Sequence, residues 1–186
     1  MNLLYVMMLS VGLALYVFST ISKLGATQAT IGKKKIVGTG VLYSIIMIVL
    51  VGIGIFISYL IEYIYPIQSV KKITRGIVIA LLVIIVYRLL MEAFSRKTFL
   101  EKRAEQLTNK TCILLALQSS FEAIVVGICV FESNNNALID LVVVIIFTLI
   151  ASVYGFLHGY FNGTKGNKGV VISSASLLFI SAIILL

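Results

Sequence analysis

Six long, uninterrupted apolar stretches dictate what this chain can become. They run roughly over residues 3–22, 36–61, 76–94, 111–131, 137–160 and 169–186. Crossing a hydrocarbon layer of about 30 Å takes about 20 helical residues at roughly 1.5 Å each. A membrane β-barrel would need alternating segments of about ten residues with a polar inner face, whereas these runs are rich in Leu, Ile and Val on every face. The predicted fold class is therefore all-α, a polytopic membrane protein of six transmembrane helices. Composition agrees: 60% of residues are hydrophobic and 12% charged, against about 45–50% and about 25% in soluble domains, and the mean hydropathy is +1.12. The single proline, Pro66, falls between the second and third runs, where a helix must stop. No Lys or Arg precedes the first run and no small-residue cleavage site follows it, so it reads as a membrane helix rather than a secretory signal. Cys112 and Cys129 share the fourth run, too far apart along one helix to pair and without Cys/His metal spacing around them; they are expected to be inert, buried thiols.

Charge sets the orientation. Lys23, Lys33, Lys34 and Lys35 flank loop 1, Arg96, Lys97, Lys102, Arg103 and Lys110 lie in loop 3, and Lys165 and Lys168 in loop 5, eleven basic residues in all; the opposite side has only Lys71, Lys72 and Arg75. Basic loops stay cytoplasmic, so loops 1, 3 and 5 are predicted inside and both termini outside a plasma membrane. The net charge of +8 then belongs to topology. No basic soluble face with groove-reading elements is present, which excludes a nucleic-acid partner; a weaker reading gives Lys33–Lys35 an anionic-lipid contact. Three helices per half is an odd number, so the second half enters the membrane in the opposite sense. The predicted organisation is a first three-helix repeat at 1–95, a basic cytoplasmic loop at 96–110 and a second repeat at 111–186, an inverted repeat of the kind whose sites form near the midplane.

A charge at mid-membrane costs at least about 2.5–3.5 kcal/mol on insertion scales, so each one requires a reason. Glu122 lies about twelve residues into the fourth run, with Ser119 at i−3 and Gln118 at i−4 on its face. A carboxylate with hydroxyl and amide oxygens suits a hard divalent cation or a proton relay; the structural alternative is a neutral glutamate bonding between helices. Arg88 and Glu92 are spaced i, i+4 near the cytoplasmic end of the third run and are expected to pair with each other, as a structural ion pair or as a cytoplasmic gate. Ser152, Gly155 and Gly159, continued by Gly163, form a small-residue stripe for close helix packing. His158 beside it is expected to be structural. Tyr16, Ser19, Ser120 and the serines at 173, 174 and 176 offer further oxygens. No nucleotide loop, zinc motif or nucleophile elbow appears, and the loops are too short for a catalytic domain, so no enzyme activity and no cofactor is expected.

Taken in order, several segments resemble the MntP-type manganese efflux pumps of the LysE transporter superfamily. The first run reads Gly12-Leu-Ala-Leu-Tyr16-Val-Phe18 with Ser19 and a later Gly25-Ala26. The third ends Arg88-Leu-Leu-Met-Glu92-Ala-Phe94, the fourth reads Ser120-Phe-Glu122-Ala123-Ile-Val-Val126-Gly127, and the fifth carries Ser152-Val-Tyr-Gly155-Phe-Leu-His-Gly159. The resemblance implies a central pair of aspartates. Tyr16 stands at the first of those positions and Glu122 at the second. An acidic or amide residue implied on the second helix falls near Met47, and a proline near Val51.

Two functional expectations follow. The first is a secondary transporter exporting manganese or another divalent cation, with Glu122 central, Ser119, Ser120, Tyr16 and Ser19 lining the path, and Arg88 with Glu92 in support. The second is a transport-inactive membrane scaffold or regulator of the same fold, with a second copy or another membrane protein as its partner. In either case the lipid bilayer is the surrounding medium.

Overall fold

The computed structural model describes residues 3–27, 33–64, 68–94, 109–132, 137–164 and 166–185, and all regular structure among them is helical. The helices are α1 (Leu3–Ala26), α2 (Lys33–Ile64), α3 (Gln68–Phe94), α4 (Asn109–Gln118), α5 (Ser120–Glu132), α6 (Ala137–Asn162) and α7 (Asn167–Leu185). Five of them, α1, α2, α3, α6 and α7, are long and apolar enough to span a membrane. The expected fourth span is instead two shorter helices that break at Ser119. No Gly or Pro marks the break. Adjacent Ser119 and Ser120 offer the backbone local hydroxyl partners that compete with the helical ladder, and the hydroxyl of Ser119 is drawn 2.7 Å from that of Tyr43 on α2. Most of the basic loop expected at 96–110 lies outside the described residues, as does Lys165, and so do the side chains of Lys33–Lys35, Lys71 and Lys72.

The exterior is apolar. Ile45, Val49, Ile53 and Phe56 on α2, Ile77, Val83, Ile84 and Met91 on α3, and Ile146, Leu149 and Ile150 on α6 all face outward. A water-soluble protein does not show contiguous apolar surface on this scale; with the long apolar helices, it marks a multi-pass membrane protein. Many polar side chains go inward: Ser10, Ser19, Ser22, Ser44, Ser58, Ser119, Glu122, Asp140, Thr148, Ser152, Ser174 and Ser181 are all buried. Cys112 and Cys129 are buried free thiols, as expected.

Cross-helix registers give the directions. On α1, Phe18 and Ser22 abut Gly155 and Gly159 of α6, so α1 and α6 run parallel. On α2, Tyr43 meets Ser119 and Val51 meets Gly127, so α2 runs parallel to α4 and α5. Ser44 meets Ser152 while Gly40 abuts Val153, and Ser44 also reaches the Thr148 carbonyl, so α2 and α6 are antiparallel. Ser174 donates to the Gly12 carbonyl at 2.8 Å and Asn167 to the Ser19 carbonyl at 3.1 Å, so α7 is antiparallel to α1. Glu92 near the end of α3 pairs with Lys23 near the end of α1, so α1, α3 and α6 point one way, and α2, α4, α5 and α7 the other.

Glycine sets how closely these helices approach. A Cβ on Gly127 would stand 2.2 Å from the Val51 carbonyl oxygen, and one on Gly54 2.1 Å from that of Ile124. On the other side, a Cβ on Gly159 would lie 2.0 Å from the Ser22 carbonyl oxygen. The stripe read from the sequence is therefore a packing face. Gly155 and Gly159 lie against α1, and Ser152 turns to α2, donating to the Gly40 carbonyl at 3.0 Å. Gly163, at φ +66°, ends α6 with its N–H on the Gly159 carbonyl, a left-handed cap that glycine adopts without strain.

Candidate functional site

The interior polar centre forms where α1, α2, α3 and α5 meet. Its key residue, Glu122, sits in the first turn of α5 and is only 1% exposed. The break at Ser119 gives α5 a new N-terminus here, whose dipole favours a negative side chain. The spacing Ser119-Ser120-Phe121-Glu122 is that of a capping box. Glu122 lies ten residues before the end of α5, about 15 Å at the helical rise, which is close to half a bilayer core.

Glu122 faces a cation. Nη1 of Arg88, on α3, stands 2.9 Å from its Oε1; the carboxylate side chain is 2% exposed and the arginine side chain 45%. The contact is an ion pair, and neither carboxylate oxygen has a hydrogen bond of good geometry among the described residues. Tyr16 on α1 interacts electrostatically with both Glu122 and Arg88, and Tyr43 on α2 with Glu122. Tyr16 and Ser119 therefore do join Glu122 in one centre, with Ser119 held by Tyr43. Ser120 is half-buried one turn position away. The side chain of Gln118 lies outside the described residues.

One expectation is corrected by these contacts. Arg88 and Glu92 are not each other's partners in this conformation: Arg88 turns inward to Glu122, and Glu92 bonds to Lys23 on α1. The i, i+4 rule counts only neighbours along one helix. Here a buried carboxylate on another helix offers Arg88 a less hydrated partner, and the end of α1 brings Glu92 a lysine. Ser19, expected beside Glu122, is buried; its carbonyl accepts from Asn167 on α7, and its hydroxyl has no hydrogen-bond partner among the described residues. Of the later serines, Ser174 is buried on α1 while Ser173 and Ser176 face outward.

One half-buried and two buried polar residues escaped the sequence reading. Lys23 counts there only toward topology. Asn167 was hidden beside a basic loop. Asp140, 1% exposed in the first turn of α6, lies far from Glu122 in sequence and follows the typical placement of an acid at a helix start. Met47 and Val51 are fully buried in the apolar core, so α2 contributes a phenol and no acid to the centre.

The donor set fixes the chemistry. Among the described residues no three His, Cys, Asp or Glu side chains converge, which disfavours a soft or all-carboxylate metal cage. One carboxylate, a phenol and hydroxyls make an oxygen-only surface for a hard cation, already balanced by one arginine.

Compared with known families, residues 30–185 match the family model described as "Mntp: Putative manganese efflux pump". The match begins after α1, so the likeness of the Tyr16 segment rests on its own residues. No curated protein and no solved structure matches the chain.

Proposed function

From the premise that the chain belongs to this manganese efflux pump family, we propose that it is a secondary transporter exporting a divalent cation, with Glu122 as the cargo-binding carboxylate. The family is one of membrane transporters, not enzymes, and manganese would be substrate rather than cofactor. The observation that carries the reading is a carboxylate buried to 1% exposure at mid-span whose charge partner is a single, half-exposed arginine. A charged group at mid-span is costly, and a half-exposed arginine partner leaves its carboxylate within reach of a competing cation. Tyr16 and Ser119 supply neutral oxygens beside it.

Alternating access in this reading rests on two inverted halves, with α4 and α5 together making the fourth of six crossings. Helix direction supports that count, since α2, α4, α5 and α7 share one sense. The contact pattern supports the inversion. Exchanging the first and fourth crossings, and the second and fifth, turns the glycine-tight α1–α6 pair into the glycine-tight α2–α5 pair. Interrupted helices at the midplane are where such proteins place their sites. Both termini and the loop before α3 lie outside in this arrangement.

The test is growth of manganese-sensitive cells that lack their own export. The wild-type chain restores growth in high manganese, and Glu122→Gln, inserted at the same level, does not. Equal protection by that variant removes Glu122 from the cargo path. One observation favours the second reading, a transport-inactive scaffold: Arg88 already neutralises the sole carboxylate of the centre, and Tyr16 replaces the second acid. That reading predicts no manganese protection by the wild-type chain and a partner that copurifies with it.

A further inference from the structure

We propose that Arg88 is an exchanging counter-ion: it holds Glu122 while the centre is empty and moves to Glu92 when Glu122 is neutralised, which parts Lys23 from Glu92 and loosens the tie between the end of α1 and α3. This inference rests on the transport reading and names how occupancy of that centre is reported to the rest of the molecule.

Four charges alternate along one path. Lys23 ends α1, with Glu92 its partner near the end of α3; Arg88 lies one turn back on α3, and Glu122 lies inside. Lys23 lies in the last turn of α1 and Glu92 two residues before the end of α3, so this outer pair sits toward the end of the bundle, whereas Glu122 is 1% exposed inside it. Arg88 and Glu92 are spaced i, i+4, which places them within reach on one helix face. Arg88 therefore has two carboxylates available and in this conformation uses the inner one.

Neutralising Glu122 changes the balance. A dication at that carboxylate repels the guanidinium, and Arg88 with its long, half-exposed side chain has Glu92 as the next acceptor. The planar guanidinium fits a carboxylate with two parallel bonds, whereas an ammonium acts as a point charge. Arg88 therefore displaces Lys23 from Glu92. The pair between Lys23 and Glu92 is an ion pair that ties the last turn of α1 to α3, so its loss removes that tie.

A proton on Glu122 would act on Arg88 in the same way as a cation. The groups facing Glu122 are Tyr16 from α1, Tyr43 from α2, and Arg88 with the more distant Glu92 from α3. Arg88 is the one cation among them. The α1–α3 clamp thus opens for a loaded or a protonated centre and stays shut for an empty, charged one, which is the rule an exchanger of cation against proton requires.

The experiment measures the clamp directly. In full-length protein with Cys112 and Cys129 changed to Ala, Ala26→Cys and Phe94→Cys are joined by a short bismaleimide, and the cross-linking yield is compared across variants. Glu122→Gln, without any metal, lowers the yield at least about twofold, and adding Arg88→Gln to it restores the yield, because Lys23 then keeps Glu92 unchallenged. Glu92→Gln gives low yield in every background. A merely structural Arg88 gives the opposite ordering, with the double variant looser than the single one, and that result overturns the proposal. Manganese added to the otherwise unaltered chain lowers the yield in step with loss of the free-ion paramagnetic signal. Manganese that binds without changing the yield overturns the switch alone. Manganese that does not bind overturns the transport reading, and the metal-free variants still decide whether Arg88 exchanges.

Discussion

At the scale of single residues, the account turns on what a buried acid needs. Glu122 was legible in the sequence because a carboxylate in an apolar run is costly and must be explained. Its partner was not, because Arg88 has a nearer acid along its own helix and only the three-dimensional arrangement brings α5 closer. Removing Arg88 leaves Glu122 buried and uncompensated. Breaking a buried pair in this way costs about 3–5 kcal/mol, and the half-exposed arginine places the expected loss for Arg88→Ala toward the lower end. Detergent-solubilised Arg88→Ala should unfold at a clearly lower temperature than the wild type, and the Arg88→Ala/Glu122→Gln pair should recover part of the loss. Tyr16 is the second residue to test. Tyr16→Asp places another carboxylate beside Glu122, giving a hard dication the charge it lacks. Manganese affinity should rise by about tenfold or more, roughly 1.4 kcal/mol; unchanged affinity in a titration would show that Tyr16 does not face the cargo.

At the scale of elements, glycine contacts and one helix break position the centre. The α1–α6 contact was readable as a stripe of small residues, since Gly155 and Gly159 recur every four positions. Gly54 and Gly127 do not form a stripe within one helix; each is the small residue that faces a single backbone carbonyl across α2 and α5, so the sequence carried little sign of their pairing. The break at Ser119 was equally hidden, because it lacks the Gly or Pro that usually signals one. Overpacking typically costs about 1–3 kcal/mol, and here the obstruction is backbone rather than a movable side chain. Gly127→Leu should therefore destabilise the protein at or above the upper end of that range. Gly52→Leu, on a face where a Cβ meets nothing within 4 Å, should be close to neutral. Thermal unfolding of the two variants in the same detergent separates local packing from a general intolerance of glycine replacement.

At the scale of the whole molecule, hydropathy alone located the five long helices α1, α2, α3, α6 and α7 but not the division of the fourth run into α4 and α5, and charge asymmetry proposed an orientation. Lys23, Glu92 and Lys168, which lies over the Phe94 ring at 4.9 Å, gather at one end of the bundle. Tyr5, Arg75 and Glu132 interact at the other. In cysteine-free protein, an impermeant thiol reagent applied to intact cells should label Tyr63→Cys and not Thr27→Cys, with the reverse in inverted vesicles. Labelling of both from one face would break the assigned sidedness. What no linear reading supplied was convergence: the centre draws on α1, α2, α3 and α5, and the charges that meet there are separated by tens of residues along the chain. The central claim remains that Glu122 holds the cargo. Its most direct test is titration of purified protein with manganese while the paramagnetic signal of the free ion is followed. The wild-type chain should take up manganese saturably, and Glu122→Gln, equally folded and monodisperse, should take up none; binding of equal strength in that variant would contradict the account.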